Sequence, residues 1–129
     1  MPTLHLLFSH NLTDPQEKEA KEILKCESIK PLPFELLQLW KQIPPEGEIE
    51  ENLLNKFKDY LQIDSSDGDY VLVQGEFGIA FNIVNWCLQN KRIPIYATTH
   101  RIAKEIINPD GSVKKINIFK HIQFKRYKL

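Results

Sequence analysis

The sequence predicts an α/β sandwich around a mainly parallel sheet, and three observations lead there. Short, nearly unbroken apolar runs at Leu4–Phe8, Tyr70–Val73 and Ile93–Ala97 suit strands buried on both faces. Each run ends in polar residues and precedes a segment with helical or capping character, the alternation of β-α units. The second half closes on a β-branched, basic stretch that reads as a final strand or hairpin.

Taken in order, Leu4–Phe8 is the first strand. Thr13-Asp14-Pro15-Gln16 then opens a helix reaching about Lys25, with Thr13 and Gln16 at capping-box spacing and proline tolerated in the first turn. Glu27–Lys30 is a weak second strand. Pro31 and Pro33 lead into a short helix over Phe34–Ile43, with Leu36, Leu37 and Trp40 as its apolar stripe, stopped by Pro44-Pro45-Glu46-Gly47. Ile49, Leu53, Leu54, Phe57, Tyr60 and Leu61 recur at helical spacing, so 48–62 is amphipathic. Tyr70–Val73 is a strand and 78–90 a helix with Ala80, Ile83, Val84, Cys87 and Leu88 on one stripe. In Ile93–Ala97, Pro94 favours an edge or entry position. Thr99 is expected to cap a short helix through Ile107, and Asn108-Pro109-Asp110-Gly111 is a turn. From Val113 to Tyr127 the alternation breaks near Phe119, implying one bulged strand or two strands.

The chain has 129 residues with 17 basic and 17 acidic side chains, the profile of one soluble domain over 1–129. The neutral total hides an asymmetry. Residues 1–69 hold 14 acids and 7 bases, whereas 70–129 hold 3 acids and 10 bases, so a −7 half is joined to a +7 half. A uniformly basic nucleic-acid binder is excluded, and no stable DNA binding is expected. Cys26 and Cys87 stand far apart without neighbouring ligands at metal spacing, arguing against a zinc site or disulfide framework and for a reducing, cytoplasmic setting. No signal-peptide pattern opens the chain, and no apolar run approaches the ~20 residues of a membrane span.

In parallel sheets ligands bind beyond the carboxyl ends of the strands. The three strong strands end in Ser9-His10-Asn11, Gln74-Gly75-Glu76 and Thr98-Thr99-His100-Arg101. As parallel neighbours, each followed by a helix, they would line one rim with three helix amino termini, a setting for phosphate. Gln74-Gly75-Glu76-Phe77-Gly78 resembles a glycine-containing phosphate turn but matches neither the Walker nor the dinucleotide fingerprint. Two glycines alone more often just shape a tight turn. Glu76 is the discriminating residue, because a carboxylate on an anion-binding rim needs a job as base, as Arg partner or in reading a base edge. His10 is a candidate proton donor or acceptor, since histidine ordinarily titrates near neutrality. His100 and His121 are weaker candidates, and His5 reads as a core histidine. Arg101 and Arg126 suit bidentate phosphate recognition, while Arg92 is better explained by a helix carboxyl end. The Lys-rich tail with Phe119, Phe124 and Tyr127 suits stacking on bases or, equally, a charged edge that discourages strand pairing.

Leu7-Phe8-Ser9-His10-Asn11-Leu12-Thr13 with Gln16, Leu32-Pro33, Val73-Gln74-Gly75-Glu76-Phe77-Gly78, Pro94–Thr99 with Arg101 and Glu105, and Phe119-Lys120-His121 with Phe124 and Arg126-Tyr127 occur in one order along the chain. Together they resemble the small CRISPR-associated Csx-type accessory family of type III systems, regarded as ring nucleases. The resemblance implies a Rossmann-like three-layer fold and a homodimer that binds and cleaves cyclic oligoadenylate, foremost the tetra-adenylate, without metal or other cofactor, switching off antiviral signalling. It implies His10, Arg101 and Glu76 as catalytic groups. Ser9, Asn11, Thr13, Gln74, Gly75, Phe77, Gly78, Thr98, Thr99, His100 and Arg126 would bind the ligand. Glu76 stands where that family favours Asp, and His100 where it favours Arg or Lys. The rival expectations are a non-catalytic sensor or sink for the same ring and an RNA-binding module using the basic tail.

Overall fold

A computed structural model describes residues 1–129 as a mostly parallel five-stranded sheet with four helices. The elements are β1 (Thr3–Leu7), α1 (Asp14–Glu22), β2 (Ser28–Pro31), α2 (Phe34–Lys41), α3 (Glu51–Asp64), β3 (Tyr70–Val73), α4 (Phe77–Gln89), β4 (Ile93–Ile107) and β5 (Val113–Arg126). The strand order is β2-β1-β3-β4-β5. β1 runs parallel to β2 and β3, β3 runs parallel to β4, and β5 is antiparallel to β4.

The buried apolar residues divide by face. Leu7, Val71 and Val73 pack with Trp40 of α2, Phe57 of α3 and Ile79, Ile83 and Cys87 of α4. Leu4, Leu6, Leu72 and Ile95 pack with Ala20 of α1 and with Phe124. Helices therefore cover both sides, which is why β1 and β3 tolerate apolar residues at successive positions. His5 lies inside β1 at 1% exposure, and its Nε2 pairs with Asp69 Oδ2 at 2.9 Å. Burial alone would raise the Asp69 pKa. The hydrogen bond from His5 and those from the Thr3 and Ser66 amides outweigh it and hold the carboxyl below its ordinary value. This knot ties the amino ends of β1 and β3 together.

Two expectations are corrected. No helix spans 99–107, because β4 continues as a strand to Ile107 and pairs with β5 out to Val113. Thr99 caps nothing and His100 is no first-turn residue. A register shift falls at Thr98/Thr99, where Thr98 faces Gln123 but Thr99 faces His121. Non-local pairing of Ile102 with Ile118, and of the residues beyond, overrides a local cap signal. The turn at 108–111 is the hairpin tip, with Gly111 at φ +86° and Gly111 N–H donating to Asn108 O. β5 is thus the single bulged strand among the two alternatives. Pro94 sits at the entry of an internal strand, and its carbonyl accepts from Tyr127 N–H at 3.0 Å. Arg92 is buried and donates to the carbonyls of Leu61 and Ser65, closing the end of α3 rather than serving only its own helix. No helix is long and apolar enough to cross a membrane.

Candidate functional site

From β1 the chain goes by way of α1 to β2 on one side, while from β3 it goes by way of α4 to β4 on the other. Between the carboxyl ends of β1 and β3 the connections diverge and leave a crevice. A cleft of about 540 Å³ lies there, lined by Ser9 and His10 after β1, by Gly75 and Glu76 after β3, and by Trp40, Lys41 and Ile43 at the end of α2. Its volume falls in the range of small-molecule pockets.

The walls are set by contacts within the chain. Trp40 is 3% exposed, meets Phe57 edge to face at 5.2 Å, and donates its indole N–H to the Gln74 carbonyl at 3.0 Å. A side chain at residue 75 would collide with that indole, since a Cβ there would lie 2.7 Å from Trp40 Nε1. Gly75 is therefore required by tryptophan packing. Glu76 is the N-cap of α4, and its carboxylate accepts from the Ile79 amide at 3.0 Å. A Cβ at Gly78 would stand 2.7 Å from Ile49 Cδ1 and 3.1 Å from Glu76 Oε1, so the second glycine admits both the cap and Ile49. The α4 amino terminus thus already holds an anion of its own.

Ser9 and His10 meet Gly75 and Glu76 in the cleft, and the exposed His10 ring lies edge-on to Phe8 at 5.4 Å. Asn11 is exposed in the following loop. Thr13 caps α1, its amide donating to Gln16 Oε1 at 2.9 Å. Gln74 bridges the strands: its Oε1 accepts from the Ala97 amide at 2.7 Å, continuing the β3–β4 pairing by side chain. Phe77 is 93% exposed on the first turn of α4.

The third cluster does not join the rim as expected. Of the three helix amino termini expected after β1, β3 and β4, only those of α1 and α4 are present, because β4 runs on as a ribbon. At ~3.3 Å per residue Arg101 stands about 13 Å beyond Ala97. Its guanidinium lies 6.0 Å from the Phe119 ring. Thr98 is held by the ribbon, its hydroxyl donating to Gln123 O at 2.9 Å, while Thr99 and His100 are exposed. Arg126 pairs in register with Ile95 near the start of β4 and approaches Tyr70, so it sits toward the opposite end of the sheet. His121 is bound to Glu19 of α1 at 2.6 Å, and that carboxylate also accepts from the Phe124 amide, so His121 anchors the ribbon's root.

Trp40, Lys41 and Ile43 were not evident as cleft residues from the sequence, where Trp40 counted only as helix stripe. One signal was present: Pro44-Pro45 ends that helix, which fixes where its last turn sits. Lys41 is the one lysine or arginine lining the cleft. No three His, Cys, Asp or Glu side chains gather where they would hold a metal ion.

The fold and cleft define an α/β protein with a mostly parallel sheet and a polar crevice at its carboxyl edge. The family model described as the uncharacterized protein MJ1673 family matches residues 2–125, and the chain belongs to that family. It is 44% identical over 127 residues to uncharacterized protein MJ1673 of Methanocaldococcus jannaschii, covering 98% of each chain. No solved structure matches.

Proposed function

We propose that this protein is a Rossmann-like ring nuclease that binds cyclic oligoadenylate, foremost the tetra-adenylate, and opens it without metal, switching off type III CRISPR signalling. The observation that carries this reading is the meeting of Ser9 and His10 with Gly75 and Glu76 in one open cleft at the switch point. The colinear motifs supply the ligand class. A cyclic tetra-adenylate is larger than one cleft and carries four phosphates, so two clefts related by a two-fold axis would share it in a homodimer.

In the reaction the ribose 2′-oxygen attacks the adjacent phosphorus, the P–O5′ bond breaks, and a linear product with a 2′,3′-cyclic phosphate results. One proton leaves the 2′-hydroxyl and one arrives on the departing 5′-oxygen. His10, exposed beside the cleft, exchanges one of these protons. Lys41 and the Ser9 hydroxyl face the phosphate charge, and Arg101 with Thr98 and Thr99, which stand off their own chain's cleft, contributes only across the dimer, from the ribbon of the second copy. The Glu76 oxygen not engaged by Ile79 is an acceptor for an adenine amino group.

A sensor that holds the ring intact is favoured by one feature, the removal of Arg101 and the Thr98-Thr99 pair from the cleft of their own chain. Binding and single-turnover cleavage of cyclic tetra-adenylate by His10→Ala and Lys41→Ala separate these readings. The expected result is a cleavage loss of about 100-fold or more for His10→Ala with binding nearly retained, and weaker binding for Lys41→Ala. Cleavage by His10→Ala at the parental rate refutes the assignment.

A further inference from the structure

Beyond the bulge at Thr98/Thr99, the β4–β5 ribbon leaves the sheet, and both its faces are largely open to solvent. Residues of equal parity share a face, because Ile102 pairs with Ile118, Lys104 with Ile116 and Ile106 with Lys114. One face therefore gathers Ile102, Ile106, Ile116 and Ile118 among Lys104, Lys114 and Lys120, and bears no acid. Ile106 and Ile118 are 44% and 40% exposed. A two-stranded ribbon is marginal by itself, and this one keeps an aliphatic face uncovered.

Its counterpart lies elsewhere on the chain. Between α2 and α3 a groove of about 320 Å³ is lined by apolar residues including Ile43, Ile49 and Leu53, by Glu46, Glu48 and Glu50, and by one base, Lys56. Ile43 also lines the cleft, so groove and cleft adjoin. We propose that the ribbon of one chain docks its isoleucine–lysine face into this glutamate-edged groove of a second copy, with the exchange reciprocal across a two-fold axis.

The net charges match, ribbon lysines against three glutamates that outnumber Lys56, and both surfaces have an aliphatic centre. Single-stranded RNA is a poorer occupant, because stacking needs aromatic faces and Phe119 lies on the opposite side of the ribbon with Arg101. Nine residues of ribbon at ~3.3 Å each and a width of about 10 Å give roughly 300 Å² of face. The groove of about 320 Å³ seats only part of that face, so the two contacts together stay below the ~1,200 Å² of a standard interface and make a weak, salt-sensitive dimer. Reciprocal exchange uses each surface once and closes the assembly. The proposed chemistry invokes a dimer from the symmetry of its ligand. This assembly rests on the chain's own surfaces and is tested without nucleotide; a monomer would remove the shared-ring arrangement as well, whereas dimers formed through other surfaces would leave it standing, and ring cleavage itself is read separately with labelled nucleotide.

The test is sedimentation velocity of the full chain, its Lys104→Glu/Lys114→Glu variant, its Glu48→Lys/Glu50→Lys variant, and an equimolar mixture of the two. The wild-type protein is expected to be a dimer that loosens at about 1 M salt, where the Debye length falls to about 3 Å. Each variant alone opposes like charges in both contacts, so its dissociation constant should rise about tenfold or more. In the mixture both contacts are again matched, and a heterodimer of near wild-type affinity should form, which unfolded variants would not give. A monomeric wild-type protein overturns the proposal. So does a mixture that associates no better than its components, or a ribbon that binds single-stranded RNA on a chain that remains monomeric.

Discussion

Replacing Gly75 by alanine probes the wall on which the whole cleft depends. The new methyl would meet Trp40 Nε1, Cε2 and Cζ2 at 2.7, 2.8 and 2.9 Å. Relief requires a shift of about 0.7 Å to reach ordinary carbon contact near 3.5 Å. The indole has little room to yield, since it is 3% exposed and braced by Phe57, which is fully buried. Overpacking of this kind costs about 1–3 kcal/mol. If the indole withdraws, it also loses its hydrogen bond to the Gln74 carbonyl, worth about 1 kcal/mol more. Gly75→Ala should therefore destabilise by about 2–4 kcal/mol in urea unfolding, with a red-shifted tryptophan emission. Trp40→Phe removes the colliding atoms, so the Gly75→Ala/Trp40→Phe pair should cost less than the sum of the single changes. A Gly75→Ala protein within about 0.5 kcal/mol of wild type, or a double mutant that is simply additive, would refute the packing account of this glycine.

Three further outcomes are expected. Glu76→Ala removes the cap on α4 and should cost about 1 kcal/mol in thermal or chemical unfolding, whereas Glu76→Gln keeps an acceptor for the Ile79 amide and should cost less; equal losses would contradict the capping role. The Asp69 carboxyl is held below its unfolded value, so its contribution is present above about pH 4 and disappears as pH falls through the folded pKa. Asp69→Asn should lose about 1–3 kcal/mol at neutral pH and have a flatter acid limb, a difference read from urea curves between acidic and neutral pH. Burial, reinforced by Asp69, pushes the Cys26 thiol up to about 11, and burial pushes Cys87 up to about 12 despite Arg92. Both should resist a thiol reagent at neutral pH until the chain unfolds, and fast labelling of the native protein would count against their burial.

What was legible in the sequence is what local pattern encodes. Leu4–Phe8 and Tyr70–Val73 showed two-sided burial as unbroken apolar runs, and the stripe from Leu53 to Leu61 marked α3 by its period. The ends of β1 and β3 could be placed on one rim because the β-α alternation requires parallel strands. The segment 99–107 failed for a physical reason: a threonine cap and mixed polarity suit a helix start, and its true partner lies across a turn in β5. With that helix went the third amino terminus and the expected position of Arg101. The roles of Gly75 and Glu76 were ambiguous because each depends on one distant or folded-back contact, the Trp40 indole for one and the Ile79 amide for the other. Pro44-Pro45 fixes the helix turn that carries Lys41, but that this turn borders the cleft follows from tertiary placement.

The most direct measurement of the central claim is incubation of the pure protein in excess with labelled cyclic tetra-adenylate in the presence of EDTA. Conversion of the ring to linear products ending in a 2′,3′-cyclic phosphate is expected, and its loss in His10→Ala. A ring that survives long exposure intact contradicts that claim.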